Sequence, residues 1–218
     1  MRHSDGLRAA AQSGLPAIGD AYQGGFFAGT ISHTANGVAT HLLIVAPAAT
    51  GASGTGYTLT TNRQWKTAST ATTGTTSTFN GSVNSANMNN ASHPAAQFCE
   101  GLSIGGYSDW YLPAQFELEI AYYNLKPTTA SNYAFGGVNI YAVPARSSNW
   151  TSGTPAQTTV TAFQSGNSEA FPASLHWAST QSSTNTGYGM CTNFNVGETG
   201  GAIKTDPFRV RAFRKVAL

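Results

Sequence analysis

Charge is scarce in this chain. Asp, Glu, Lys and Arg together make up 9% of its 218 residues, against about a quarter in ordinary soluble domains. The formal net charge of +2 leaves no electrostatic footprint for nucleic acid, and none is expected as a partner. Long apolar runs are missing as well. Leu42 to Ala46 is the longest clean one, far short of the roughly 20 residues a membrane-spanning helix needs, so membrane insertion is not expected. Met1 to Gln12 carries Arg2 and Arg8 but no apolar stretch behind them. No secretory signal is read there, and the expectation is a protein made in the cytoplasm. The two cysteines, Cys99 and Cys191, have neither a CxxC pattern nor metal-ligand spacing. They are read as two small buried apolar residues; a disulfide is the less favoured alternative because it needs a route to oxidation.

Low charge with few aromatics would point to disorder. Here Phe, Tyr and Trp make up 11% of the chain, and Gly alone numbers 24. Such a chain can bury a core and still present hydroxyls and amides to water, which suits an extracellular or virion setting. The length fits one domain: residues 1–17 as a polar arm or linker, then a domain over 18–218.

Asn36-Gly37 between β-prone runs predicts a hairpin whose arms are Gly24 to Ile31 and Val38 to Ala46. In the second arm His41, Leu43 and Val45 face one way, and Leu42, Ile44 and Ala46 the other. Both faces are mostly apolar, so this strand belongs inside a sheet. Thr50 to Ser92 reads as an ordered, winding loop pinned by Trp65 and Phe79. A helix is predicted over His93 to Leu102, with Ser92 as N-cap, Pro94 in the first turn, and Ala95, Phe98, Cys99 and Leu102 as its apolar stripe. Gly105-Gly106 then turns the chain into a short strand around Trp110.

A second helix follows, with Ala114 as N-cap and Glu117 at the third position, where a carboxylate meets the positive helix end. Ala has no side-chain acceptor, so only half of a capping box is present. Phe116, Ile120 and Tyr123 form one stripe and Leu118, Ala121, Tyr122 and Leu125 another, the pattern of a buried helix stopped at Lys126-Pro127. Residues 128–176 read as connecting chain, with a short helix from Thr154-Pro155 to Gly166 opposed by the β-branched run Thr158 to Thr161. His176 to Gln181 and Gly187 to Val196 are paired strands, and Phe208 to Val216 is a closing strand.

Three separated pieces form a pattern: Ser108-Asp109-Trp110-Tyr111-Leu112-Pro113-Ala114 with Glu117-Leu118; Trp177-Ala178-Ser179-Thr180-Gln181; and Val210-Arg211-Ala212-Phe213-Arg214. Together they resemble the Lcl C-terminal domain family, whose pattern is roughly D-W-R-L-P-T-x-x-E-L, Y-W-S-S-T and V-R-x-V-R. Ile18 to Gly29, Leu43 to Pro47, His93 to Cys99 and Asn124 to Thr128 are similar to a phage and prophage subset of tail and virion proteins. The resemblance implies an α+β, C-type-lectin-like domain, similar also to the formylglycine-generating-enzyme fold, with two helices packed on short antiparallel strands and long loops. Ala114 and Ala178 replace Thr and Ser of the pattern, and a Cys often found in the closing strand is absent. The lectin disulfide therefore does not carry over. No Glu-Pro-Asn, Gln-Pro-Asp or Trp-Asn-Asp triplet occurs, so the calcium–sugar chemistry of true C-type lectins has no visible ligands.

As structural motif residues the pattern singles out Asp109, Trp110, Leu112, Pro113, Glu117, Trp177, Ser179, Thr180, Arg209, Arg211 and Arg214. Trp110 and Trp177 are expected as core anchors. The three arginines are either a polyanion patch or, as favoured here, partners of Glu117, Asp109 or Glu119 inside the fold. The candidate ligand-contact residues lie in the loops: Tyr133, Tyr141, Arg146, Asn149 and Trp150, the last with a packing role as its alternative.

For catalysis no nucleophile–base–orienter set is legible, and the cysteine pair of the formylglycine enzymes is missing. His33 and His41 flank the hairpin turn and are placed to face each other, too few for a metal site. No cofactor, no metal and no enzymatic activity are expected. The resemblance implies a phage virion component, in the tail fibre, tail tip or surface decoration. Its partners would be other virion subunits, copies of itself in the particle, and a host-surface glycan or protein. A decoration protein without receptor binding is the main rival; a secreted bacterial adhesin is a third reading, disfavoured for want of a signal peptide.

Overall fold

The strand with two apolar faces runs through the middle of the molecule. The computed structural model describes residues 14–54 and 61–218. In chain order the strands and helices begin with β1 (Ala21–Tyr22), β2 (Gly25–Ile31), β3 (His41–Val45), α1 (Ala48–Gly51), β4 (Ala52–Ser53) and β5 (Arg63–Gln64). Three helices follow: α2 (Gly81–Ala86), α3 (Pro94–Glu100) and α4 (Gln115–Leu125). A 3-10 turn at Thr161–Phe163 precedes β6 (Leu175–Gln181), β7 (Tyr188–Asn193), β8 (Thr199–Ile203), β9 (Pro207–Phe208), β10 (Val210–Arg211) and β11 (Phe213–Ala217). The main sheet has the order β1-β2-β3-β11, the second β6-β7-β8, and two short pairs join β10 to β4 and β5 to β9. All of these ladders are antiparallel. The chain is thus α+β, with four α-helices among the described residues rather than two.

β3 separates two cores. Leu43 and Val45 point into one, with Tyr111, Leu118, Tyr122, Trp150, Phe163, Phe171, Phe194 and Phe213. Leu42, Ile44 and Ala46 point into the other, with Trp65, Trp110, Trp177, Phe208 and the α3 residues Ala95, Ala96 and Cys99. The period-two alternation of the strand is enough to produce this division. α4 packs against β2, β6 and β7 on the Leu43 side. Every residue from Glu117 to Tyr122 is buried, as a helix apolar on most of its circumference requires. Cys99 and Cys191 are buried and unpaired.

Several elements differ from expectation, each for a local reason. The hairpin has no two-residue Asn-Gly turn: β2 ends at Ile31 and β3 begins at His41. The positive φ values fall on Ala35 (51°) and Gly37 (76°). Asn36, exposed, instead bonds across the turn, its Oδ1 accepting from Ser32 Oγ at 3.1 Å and from the Val38 N–H at 3.0 Å, within a nine-position loop from 32 to 40. The stretch around Trp110 is not a strand. Its ladder is a single bridge, Tyr111 to Phe213, because the next ladder position is Pro113, which has no N–H to give, while the Leu112 N–H goes to Ser85 Oγ at 3.0 Å.

α3 takes His93, not Ser92, at its N-cap position, with φ −126° and ψ 71°, since the residue before a proline is steered out of helical geometry. The helix expected after Thr154 is reduced to the 3-10 turn at Thr161–Phe163; Thr158 gives its N–H to the Lys126 carbonyl at 2.9 Å instead of to a helix. The winding loop before α3 is pinned by Trp65, which is fully buried and donates to the Ala178 carbonyl at 2.8 Å. It also contains α2, for which a polar Gly-Ser-Val-Asn-Ser-Ala run gives no amphipathic signal. Tyr57, Leu59 and most of the expected N-terminal arm lie outside the described residues. The closing strand is broken into β9, β10 and β11, and β8, a Gly-rich strand, had no strand signal in its composition.

Candidate functional site

The site is a loop seated on α4, so its geometry begins with how α4 is anchored. Ala114 cannot cap the helix, and Glu117 supplies half of what is missing: its Oε2 accepts the Ala114 N–H at 2.8 Å and the Gly81 N–H at 3.1 Å, and its Oε1 accepts the Tyr111 hydroxyl at 2.9 Å. The other half comes from β6. Thr180 Oγ1 accepts the Gln115 N–H at 3.0 Å and donates to the Ser77 carbonyl at 2.9 Å. Pro113 accepts the Ser179 N–H at 2.7 Å, and Ser179 Oγ accepts from Asn84 at 3.3 Å. The first two motif pieces therefore meet at one helix end. Burial pushes the Glu117 carboxyl up to about 7, outweighing these bonds and the nearby Lys215 charge.

One arginine pairing is among those expected, Arg214 with Asp109, and the other two differ. Arg214 pairs with Asp109, with Nε to Oδ1 at 2.5 Å, and lies over the Tyr107 ring at 3.8 Å. Arg211 pairs with Glu169 at 2.7 Å, a carboxylate the sequence reading did not consider. Arg209 bonds the Gly54 carbonyl. Glu119 is held by Arg146, one of the expected contact residues. Trp110 and Trp177 are fully buried core residues, and Leu112 is buried with them.

Arg146 and Glu119 belong to a network that closes the loop 133–146 onto α4. Its hub is Asn139, which is fully buried. The Asn139 N–H donates to the Arg146 carbonyl at 2.8 Å and its carbonyl accepts the Arg146 N–H at 3.0 Å. Its amide nitrogen donates to Glu119 Oε2 at 2.5 Å and to the Phe116 carbonyl at 3.1 Å, while its Oδ1 accepts from Tyr141 and Ala142 N–H groups, both at 3.1 Å. Arg146 stacks over Tyr123 at 4.3 Å. Burial raises the Glu119 pKa, opposed by Arg146 and then Asn139. The loop also docks on the end of β2, where Ser32 N–H donates to the Tyr141 carbonyl at 2.7 Å and Thr30 Oγ1 to the Val143 carbonyl at 3.0 Å.

This rigid base presents an apolar tip. Tyr133, Phe135, Val138 and Ile140 are 41%, 78%, 45% and 49% exposed, in a chain that otherwise buries most of its large apolar side chains. Tyr133 and Phe135 stand edge to face with centroids 5.5 Å apart. The hollow beneath them, lined by Phe116, Glu119 and Gly137 among others, measures about 160 Å³. That is below the usual range of roughly 300–1,000 Å³ for enclosed small-molecule sites, so the tip offers a surface and not an enclosed pocket.

Of the expected contact residues, Tyr133 and Asn149 are exposed and Arg146 is half-buried in its ion pair. Tyr141 is half-buried and stacks on Phe79 at 4.2 Å. Trp150 is inside: it is 5% exposed, packs on Tyr122 at 5.0 Å, and holds Gly136 and Gly137 against its ring. Its packing alternative is the one the structure displays. Phe135, Val138, Ile140 and Asn139 were missed. A Phe-Gly-Gly-Val-Asn-Ile run between two aromatic anchors is the available signal for the first three. Asn139 has none, since its role depends on carboxylate and backbone groups brought from elsewhere.

Among the described residues no group of three His, Cys, Asp or Glu side chains is placed to hold a metal. His33 and His41 do face each other, with ring centroids 4.2 Å apart. Burial, then Lys215 and His41, lowers His33 to about 4. No described helix is long and apolar enough to cross a membrane. No family model matches the sequence, and no curated protein matches it.

Proposed function

We propose that this chain is a lectin-like attachment domain of a phage virion, similar to Lcl C-terminal domains, which binds a host-surface glycan or protein and carries out no catalysis. The observation that carries the reading is the 133–140 tip: exposed aromatic and aliphatic side chains on a loop whose base is fixed by the buried Glu119–Asn139–Arg146 network. An exposed apolar cluster on a rigid base is the usual composition of a recognition surface. The meeting of the Asp109–Glu117 and Trp177–Thr180 pieces at the start of α4 supports the family resemblance, and the long loops beyond that helix support a C-type-lectin-like arrangement.

The test is direct binding of purified protein to susceptible bacteria and competition with infection. Phe135→Ser and Tyr133→Ser should each reduce cell binding by about tenfold or more while leaving Tm unchanged, because neither ring is in the core. Saturating protein that neither binds nor competes would defeat the attachment reading. A second reading has support from the same patch: its aliphatic members Val138 and Ile140 suit a neighbouring virion subunit, as in a decoration protein. On that reading Phe135→Ser lowers incorporation into particles and leaves adsorption of the incorporated copies unaltered.

A further inference from the structure

One arginine of the closing motif has no carboxylate partner among the described residues, and it lines a cleft. Arg209 lies between β9 and β10, half-buried, with its guanidinium anchored on the Gly54 carbonyl. Arg63 is its neighbour across the short β5–β9 pair, where Arg63 stands opposite Phe208. Its Nη1 donates to the Asn62 carbonyl at 3.2 Å, and its guanidinium lies over the Phe98 ring at 5.3 Å. Among the described residues neither arginine has a carboxylate within ion-pair distance. The acids nearby are committed elsewhere: Glu169 to Arg211 at 2.7 Å and to the Ala48 N–H at 2.8 Å, and Glu100 to Ser85.

The cleft measures about 510 Å³, and its walls include Phe98, Pro172, His176 and Val210 beside the two arginines. This volume falls inside the roughly 300–1,000 Å³ typical of small-ligand sites, unlike the hollow under Phe135. Each guanidinium is held by a main-chain carbonyl, which fixes its plane, and among the described residues its remaining N–H groups have no carboxylate to bond. A planar fork of that kind matches a carboxylate or phosphate with two parallel hydrogen bonds. His176 adds no charge at neutral pH, because burial pushes it down to about 3. The cleft therefore combines fixed positive charge with apolar walls.

We propose that this cleft binds an anionic, sugar-sized ligand, with its carboxylate or phosphate between Arg63 and Arg209 and its body against Phe98 and Pro172. The site is separate from the 133–140 tip and does not depend on the attachment reading.

The experiment is a titration of the whole protein with sodium glucuronate, inorganic phosphate and glucose, followed by calorimetry and by NMR of the arginine side chains. Binding of glucuronate, phosphate or both is expected, with the Arg63 and Arg209 resonances moving and glucose without effect. Preference between the two anions identifies the source of the acidic group. Arg209→Gln and Arg63→Gln should each weaken binding by about tenfold or more. The wild-type arginine resonances decide the matter even if a variant fails to fold. The proposal is overturned if neither anion binds up to about 20 mM, if glucose binds as well as the acids, or if the moving resonances belong to other arginines. Failure of cell attachment with anion binding intact would refute the proposed function and leave this site standing.

Discussion

Thr180 is the residue whose role changes most between sequence and structure. In the chain it is one member of a strand motif; in the fold its hydroxyl accepts the first N–H of α4, the group that Ala114 cannot serve. Thr180→Val keeps the shape and removes the acceptor and the bond to Ser77. It should destabilise the protein by about 1–3 kcal/mol, read from urea unfolding. Gly137 is constrained differently. Its φ is +107°, and a Cβ there would stand 2.2 Å from Cδ1 of Trp150. Gly137→Ala is expected to cost about 1–3 kcal/mol and to disorder the tip, measured by thermal unfolding and by the near-UV signal of Trp150. The cap position at Ala114 and the importance of Glu117 were legible from spacing alone. The identity of Glu117's partners was not, because Gly81 and Tyr111 approach it from separate parts of the chain and replace the arginine that charge pairing suggested.

At the scale of elements, the 133–146 loop is held by one ion pair over a helix. Arg146→Ala leaves Glu119 buried without its counter-charge, and breaking a buried pair from one side costs roughly 3–5 kcal/mol. The lower end is expected here because Arg146 keeps some exposure to water, its side chain being 15% accessible. Amide exchange at Asn139, Tyr141 and Ala142 should quicken first, since these N–H groups depend on the same network. α4 was readable from its two apolar stripes, and β3 from alternation. The loop was readable only as aromatic anchors in polar chain. Which aromatic faces outward is decided by the Trp150 contact with Tyr122, a tertiary fact with no local trace. The same limit explains α2, a polar helix held by Asn84 and Ser85 bonds to distant backbone rather than by an apolar face.

For the whole molecule, buried histidines set the response to acid. His33 and His93 are lowered to about 4 and His176 to about 3, each chiefly by burial, and His41 is lowered for the same reason. A folded-state pKa below the unfolded value means that the unfolded chain binds the proton first, so stability present above pH 6.5 is lost as pH falls toward 4 and below. Glu117, raised to about 7, acts in the opposite sense: its contribution is complete below pH 4.5 and is lost as pH rises through 7. Glu119 and Glu100 are raised by burial as well and act with Glu117. Four lowered histidines against three raised carboxyls predict a urea midpoint that falls between pH 6.5 and 4. Glu117→Gln should make that fall steeper by removing the opposing slope. A midpoint that rises on acidification would contradict this balance.

The division of the interior by β3 also has a consequence for synthesis. β3 is flanked by β2 on one side and by β11 on the other, with Phe213 opposite Val45 and Ala217 opposite His41. The strand that both cores rest on is therefore completed by residues made long after it. A ribosome-bound chain stalled before Phe213 has an open edge along β3 and lacks the Phe213 ring in its first core. Assembly of this sheet must wait for Phe213 to Ala217, and until then the nascent chain is exposed to proteases, chaperones and its own copies.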